Sequence, residues 1–265
     1  MNTNYKLFAL DVDGTLLERD GTLAPSTREV LVRLSRHSRV TLATGRSVSA
    51  ASPWIDTLGI TTPAILYHGA VVYDTLTKRA LHEEHVPREL ARKAFAVARD
   101  FPVQPQIYRS LDDPLVYVME VTPQIEAFFA REGLSGKVIE NEKEVLAVDP
   151  IKMLFIGDPA ELPYFEDELR RVAPELTIMR SEKKYVEVLP PRASKGNALA
   201  WLCGYLDVPL ACTVAVGDQM IDLSMIERAG LGVAMAHSGP ELQAHADAVI
   251  SQISELEGLL NRSAE

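Results

Sequence analysis

The sequence is poor in cysteine: among its 265 residues only Cys203 and Cys212 occur. They form no CxxC pair, so the usual zinc and dithiol redox motifs are excluded. Each lies in an apolar stretch, as a buried free thiol of a reducing compartment would. Positive charge is also scarce. Lys and Arg number 27 against 37 Asp and Glu, a net charge of -10, which disfavours nonspecific binding to nucleic acid or to anionic membranes. No apolar run approaches the roughly 20 residues of a membrane span. The stretch MNTNYKLFALDVDG has no basic leader and too short an apolar run for a signal peptide. A cytoplasmic location is therefore expected, with no nucleic acid and no membrane as partner, and no feature points to a protein partner. Internal repeats and low-complexity tracts are missing as well.

What is present is ordinary globular material, 47% hydrophobic and 24% charged, long enough for one large or two modest domains. Short apolar runs alternate with helical patterns. KLFAL, RVTLA and PAILYH read as buried strands and VVYDT as a short fourth. PSTREVLVRLSRH and SVSAASPWIDTLG, the latter closed by Gly59, read as helices. Between about 83 and 190 the rhythm changes. The helix PRELARKAFAVARDF precedes an antiparallel pair, VQPQIY and LVYVME, joined by RSLDDP. Then come helix PQIEAFFARE, strand IKMLFIG, helix PAELPYFEDELRRVA, and strands LTIMRS and YVEVL. Proline-bearing HEEHVP and LPPR mark its edges as stiff hinges. After Pro191 the first pattern resumes, with SKGNALAWLCGYLDV and MIDLSMIERAG as helices and TVAVG, LGVAM and ADAVI as strands. Strands alternating with helices predict an α/β fold, a doubly wound, mostly parallel Rossmann-like core sheet with helices on both faces. An α+β domain is inserted in it: residues 1–82 and 191–265 form the core, 83–190 the insertion.

In an open parallel sheet, ligands sit beyond the carboxyl ends of the strands. Those ends deliver Asp11, Asp13, Gly14 and Thr15; Thr44, Gly45 and Arg46; His68 and Gly69; and Gly217, Asp218 and Asp222. Residues i and i+2 of an extended chain point the same way, so Asp11 and Asp13 would repel unless a cation relieves them or the stretch is merely an acidic turn. A hard cation such as Mg²⁺ takes few protein oxygens and keeps places for waters and a substrate phosphate, and Asp218 would add a third carboxylate. Lys195 opens a helix, against the helix dipole, but gains beside carboxylates and a phosphate. Ser194 is a reasonable N-cap, and Thr44 and the amides after it can donate to phosphate oxygens.

Asp11-Val12-Asp13-Gly14-Thr15, Thr44-Gly45-Arg46, Ser194-Lys195-Gly196 and Gly217-Asp218 with Asp222 resemble the four ordered motifs of the haloacid-dehalogenase-type phosphatases. The inserted domain resembles the cap of their Cof-like sugar-phosphatase branch, and the likeness spans essentially the whole chain. The resemblance implies a Mg²⁺-dependent phosphomonoester hydrolase acting on a small phosphorylated metabolite, a sugar phosphate above all. In that scheme Asp11 is the nucleophile that forms an aspartyl-phosphate, and Asp13 is the general acid and base. Mg²⁺ is held by the Asp11 carboxylate, the Asp13 backbone carbonyl, Asp218 and Asp222. Thr44, Gly45, Arg46, Lys195 and His68 meet the phosphoryl group, and the cap selects the substrate.

The chain departs from the family pattern at three places. Ile221 in GDQMID stands where asparagine is usual, His68 replaces the asparagine of Asn-Gly-Ala, and Arg192 follows LPP in place of a small residue. Isoleucine neither coordinates nor hydrogen-bonds, whereas imidazole still donates. HEEH at 82–85 lacks HExxH spacing and is no metal box. Two rivals remain: a phosphomutase that returns the phosphoryl group to a hexose phosphate, and a noncatalytic, receiver-like phosphate sensor.

Overall fold

A computed structural model describes residues 5–18 and 20–262. In chain order the strands are β1 Leu7–Leu10, β2 Arg39–Leu42, β3 Ala64–Leu66, β4 Val71–Asp74, β5 Arg79–Glu83, β6 Val103–Ser110, β7 Asp113–Val118, β8 Ser135–Val138, β9 Lys152–Gly157, β10 Thr177–Glu182, β11 Tyr185–Leu189, β12 Thr213–Gly217, β13 Leu231–Met235 and β14 Ala248–Ile250. The helices are α1 Pro25–Leu34, α2 Val48–Leu58, α3 Arg88–Ala98, α4 Pro123–Glu132, α5 Glu142–Val145, α6 Leu162–Val172, α7 Lys195–Leu206, α8 Leu223–Ile226, α9 Pro240–His245 and α10 Leu256–Arg262. The chain divides into two compact units, Met1–Gly45 with Ala51–His82 and Ser194–Glu265, and Arg46–Ala50 with Glu83–Ala193.

The first unit is built on a five-stranded sheet of order β14-β13-β12-β1-β2, parallel throughout. Its central strands LFAL, TVAVG and LGVAM are buried at every residue, which is why they read as unbroken apolar runs rather than alternating ones. Helix α1 buries Thr27, Val30, Leu31 and Leu34, the i, i+3, i+4, i+7 stripe of an amphipathic helix. Leu199, Leu202 and Cys203 of α7 pack with Leu7, Ala9 and Ala215 of the sheet. Burial pushes the Cys203 thiol up to about 11, so it is an inert core residue.

Four sequence expectations need correction here. PAILYH is not a full member of the parallel sheet. β3 is three residues long, pairs antiparallel with β4, and meets β2 through one parallel bridge, Ala43 to Ile65. Tyr67 and His68, at φ 50° and 57°, turn the chain out of the strand. MIDLSMIERAG is not one helix: a 3-10 turn, Met220–Asp222, precedes α8, because the Asp222 side chain accepts from the backbone ahead of it. HEEHVP is not wholly a hinge, since His82 and Glu83 belong to β5. The β6–β7 link is shorter than RSLDDP. Those strands run to Ser110 and from Asp113, and the Asp113 carboxylate braces the turn by accepting from the Leu115 N–H at 3.2 Å.

The second unit carries a six-stranded sheet of order β10-β11-β9-β6-β7-β8, antiparallel except where β7 meets β8. Ala91, Ala94, Phe95 and Ala98 of α3 and Leu162, Phe165 and Leu169 of α6 cluster with Ile107, Met153, Phe155, Val186 and Val188 of the sheet. That face is the core of the unit.

Candidate active site

Strands β1 and β12 lie side by side, so the loops at their carboxyl ends converge. Asp11 is the first residue after β1, and its N–H donates to the Val216 carbonyl at 3.0 Å. The chain then turns away, with the Leu16 and Leu17 N–H groups both donating to Val12. As a result Asp11 is 6% exposed whereas Asp13 is exposed. The strand itself ends at Leu10, one residue before Asp11. The groups that crowd Asp11 come from elsewhere.

They are Asp218 and Asp222, from the loop after β12. Carboxylate oxygens of Asp11, Asp218 and Asp222 lie within 4.8 Å of one another. Gly14, at φ +83°, makes this approach feasible: a Cβ there would sit 2.4 Å from Asp218 Oδ2, and an L side chain would also strain that backbone. The Thr15 hydroxyl donates to Asp218 Oδ1 over 3.4 Å. Lys195, 1% exposed, places Nζ 2.6 Å from Asp11 Oδ1 and 2.5 Å from Asp222 Oδ1. The start of α7 is fixed for this purpose by the Ser194 hydroxyl, which accepts from the Asn197 N–H at 3.1 Å, and by the Gly196 N–H, which donates to the Ser224 hydroxyl at 3.0 Å. The second oxygen of Asp222 accepts from the N–H groups of Asp218 and Gln219 at 3.0 and 3.1 Å. Asp222 thus holds both the lysine and the loop that presents Asp218. Ile221 lies half-buried in the same turn.

Burial raises the Asp11 carboxyl well above its ordinary range; Lys195 opposes this, and Asp222 and Asp218 add to it. Burial, then Asp222, push Asp218 up to about 6. Burial alone would lower Lys195, but Asp11 and Asp222 more than offset it, so the ammonium holds its proton tightly. One ammonium facing three carboxylates leaves an excess of negative charge among hard oxygens, and the donor set therefore fits a divalent cation such as Mg²⁺.

A pH dependence follows. A carboxyl whose folded pKa is raised stabilises the metal-free protein below its unfolded value near 3.8 and loses that contribution as pH rises through about 6. A cation binds only the ionised form. Saturating Mg²⁺ is expected to raise Tm several degrees more at pH 7.5 than at pH 5, by scanning calorimetry; an equal or larger rise at pH 5 would count against the cluster as its site.

Thr44, Gly45 and His68 form a second group. The His68 N–H donates to the Thr44 carbonyl at 3.0 Å, and the Thr44 N–H to Ile65 at 2.9 Å. The imidazole lies so close to Gly45 that a Cβ there would meet its Cε1 at 2.0 Å. Arg46 clusters with the second unit, where its guanidinium lies 3.5 Å from Glu132 and donates to the Ala50 carbonyl at 3.3 Å. Sequence reasoning passed over His237, whose Nε2 is 3.5 Å from Asp218 Oδ2. It stands two residues beyond β13, so the strand-end rule that found the aspartates would have found it too.

Residues 8–261 match the haloacid dehalogenase-like hydrolase family. The HMP-PP phosphatase of Serratia proteamaculans is 30% identical over 90% of this chain and 86% of its own. The 5-amino-6-(5-phospho-D-ribitylamino)uracil phosphatase YitU of Bacillus subtilis is 26% identical over 89% and 88%. The crystal structure of TM0651 from Thermotoga maritima superposes with a TM-score of 0.83 at 27% identity, over 97% of each chain. The chain belongs to the haloacid dehalogenase-like hydrolase family.

Proposed function

We propose that this chain is a Mg²⁺-dependent phosphatase of small phosphorylated metabolites, sugar phosphates among them, working through an aspartyl-phosphate on Asp11. The observation that carries the reading is the triad of buried Asp11 and Asp222 with half-buried Asp218, closed by the Lys195 ammonium. The relatives named for HMP-PP and for a phosphoribitylamino-uracil support a small phosphorylated substrate. The inserted residues 83–190 are the cap that selects it.

Asp11 attacks phosphorus, and the bond from phosphorus to the alcohol oxygen breaks as Asp13 gives that oxygen its proton. Exposure of Asp13 suits a group that must reach substrate and then water. Asp13, now ionised, takes a proton from water as the water attacks phosphorus. The bond to Asp11 breaks, phosphate leaves, and both carboxyl groups regain their starting states. Lys195 offsets the charge of Asp11 and of the phosphoryl oxygens, and Thr44, Gly45 and His68 supply donors to those oxygens. Asp222 orients the lysine and the 217–222 loop. Asp11, Asp218 and the Asp13 carbonyl, with Asp222 beside them, would hold Mg²⁺, which would supply positive charge to offset that of the phosphoryl group.

The test is release of nitrophenolate from 4-nitrophenyl phosphate, together with phosphate release from a panel of sugar phosphates. Turnover with Mg²⁺ is expected to fall roughly 100-fold or more in EDTA and to return when Mg²⁺ is added back. A protein that releases phosphate from none of these esters would end the reading.

A further inference from the structure

The loop after β13 takes no part in the chemistry proposed above, yet it brings an imidazole to the first unit's carboxylates. His237 stands in it, with Nε2 3.5 Å from Asp218 Oδ2. Among the described residues the imidazole makes no other hydrogen bond or ion pair. The loop is braced on both sides of it. Gln243 of α9 donates from Nε2 to the carbonyls of Ala236 and Ser238, at 3.0 and 2.8 Å. The Ala236 N–H donates to the Ile250 carbonyl at 2.7 Å, and the Ser238 N–H to that of Met235 at 3.0 Å. The backbone of His237 is thereby fixed, although its side chain is 34% exposed.

Asp218 is the carboxylate that lacks another hold. Lys195 bonds to Asp11 and Asp222, and Asp222 also accepts from two backbone N–H groups. Strand β12, which ends at the residue before Asp218, runs between β13 and β1. The loop after β1 supplies the Thr15 hydroxyl, 3.4 Å from Oδ1, and the loop after β13 supplies His237 on Oδ2. Each oxygen of Asp218 is thus met from a different side. A partly exposed contact of this kind adds little to stability, whereas a ligating carboxylate gains from a group that fixes its orientation. We propose that His237 is a positioning residue for the divalent cation, its Nε2–H holding Asp218 in the orientation the cation requires. The inference rests on the Mg²⁺ site proposed above. A neutral imidazole donates as an imidazolium does, so the contact adds no positive charge beside the cation. His237 lies outside the group of ligand atoms within 4.8 Å of one another, so it acts through Asp218 and is not itself a ligand.

The test is calorimetric titration of Mg²⁺, and separately of Mn²⁺, into the full-length metal-free protein, His237→Ala and His237→Gln. Loss of an outer partner should raise the Mg²⁺ Kd of His237→Ala about tenfold or more. Glutamine carries an amide N–H to the place of Nε2–H, so its Kd should stay within about threefold of the wild type. The Tm of metal-free His237→Ala should stay within about 2 °C of the wild type, which separates a lost metal from a lost fold. An equal loss of Mg²⁺ affinity in both variants would show that the ring's shape matters and not its donated hydrogen bond, and would overturn the proposal. So would a far larger loss for Mn²⁺ than for Mg²⁺, the mark of an imidazole that ligates the metal. A wild type that binds neither ion removes the metal site and this proposal with it. A wild type that binds Mg²⁺, with His237→Ala unchanged from it, removes the proposal alone.

Discussion

Replacing Asp11 with asparagine is expected to lower kcat on any phosphate ester by roughly four orders of magnitude or more, because the amide has no anionic oxygen to attack phosphorus. The fold should survive. Asp11 is buried with its carboxyl held well above the ordinary range, by burial first and then by the two neighbouring aspartates. Its removal leaves Lys195 paired with Asp222 at 2.5 Å and takes one like charge out of the cluster. Stability near neutral pH is therefore expected to change little, while the stabilisation by Mg²⁺ weakens for want of a ligand. Steady-state kinetics and calorimetry with and without Mg²⁺ check both halves. Residual activity within tenfold of the wild type would remove Asp11 from the nucleophile's role.

Lys195→Met should have the opposite balance, with stability suffering as much as rate. The ammonium is 1% exposed and faces Asp11 and Asp222 directly. Methionine fills the volume but leaves three clustered carboxylates uncompensated. Breaking a buried ionic contact costs about 3–5 kcal/mol, a fall in Tm of roughly 10 °C for a chain of this size. That loss belongs to neutral and higher pH. Below about 6 Asp218 takes up its proton, and Asp11 is displaced in the same direction, so the deficit should shrink markedly at pH 5. Saturating Mg²⁺ should recover part of it at pH 8. Loss of a charge that offsets the phosphoryl oxygens should also cut kcat roughly 100- to 1,000-fold. A fall in Tm of the same size at pH 5 and pH 8 would show that the lysine is held by packing rather than by charge.

Much of this site was legible in the sequence because parallel strands announce themselves. LFAL, TVAVG and LGVAM are buried on both faces, so they stand out as apolar runs, and the polar residues just after them are the ones that converge. What could not be read was how each loop leaves its strand. Two N–H groups close a turn on Val12 directly after Asp11, a backbone event that no spacing of side chains records. The part played by Asp222 in holding its own loop rests on two hydrogen bonds to main-chain N–H groups, again without an apolar signature. In the inserted unit, β8 escaped notice because its four residues, SGKV, are all exposed. It is a strand by virtue of pairing with β7, not by alternation. Helices α5 and α9, of four and six residues, are too short for a 3.6-residue period to show. Ile221 departs from the family's usual asparagine, and the carboxylates around it are held by Lys195 and by backbone amides.

The claim that Asp11 becomes phosphorylated is tested most directly by trapping. Enzyme quenched during turnover of a sugar phosphate with Mg²⁺ and reduced with borohydride should yield, by peptide mass spectrometry, homoserine at position 11, the reduction product of an acyl phosphate. None should appear in Asp11→Asn. Turnover with Asp11 unmodified, or reduction at a different residue, would contradict the account.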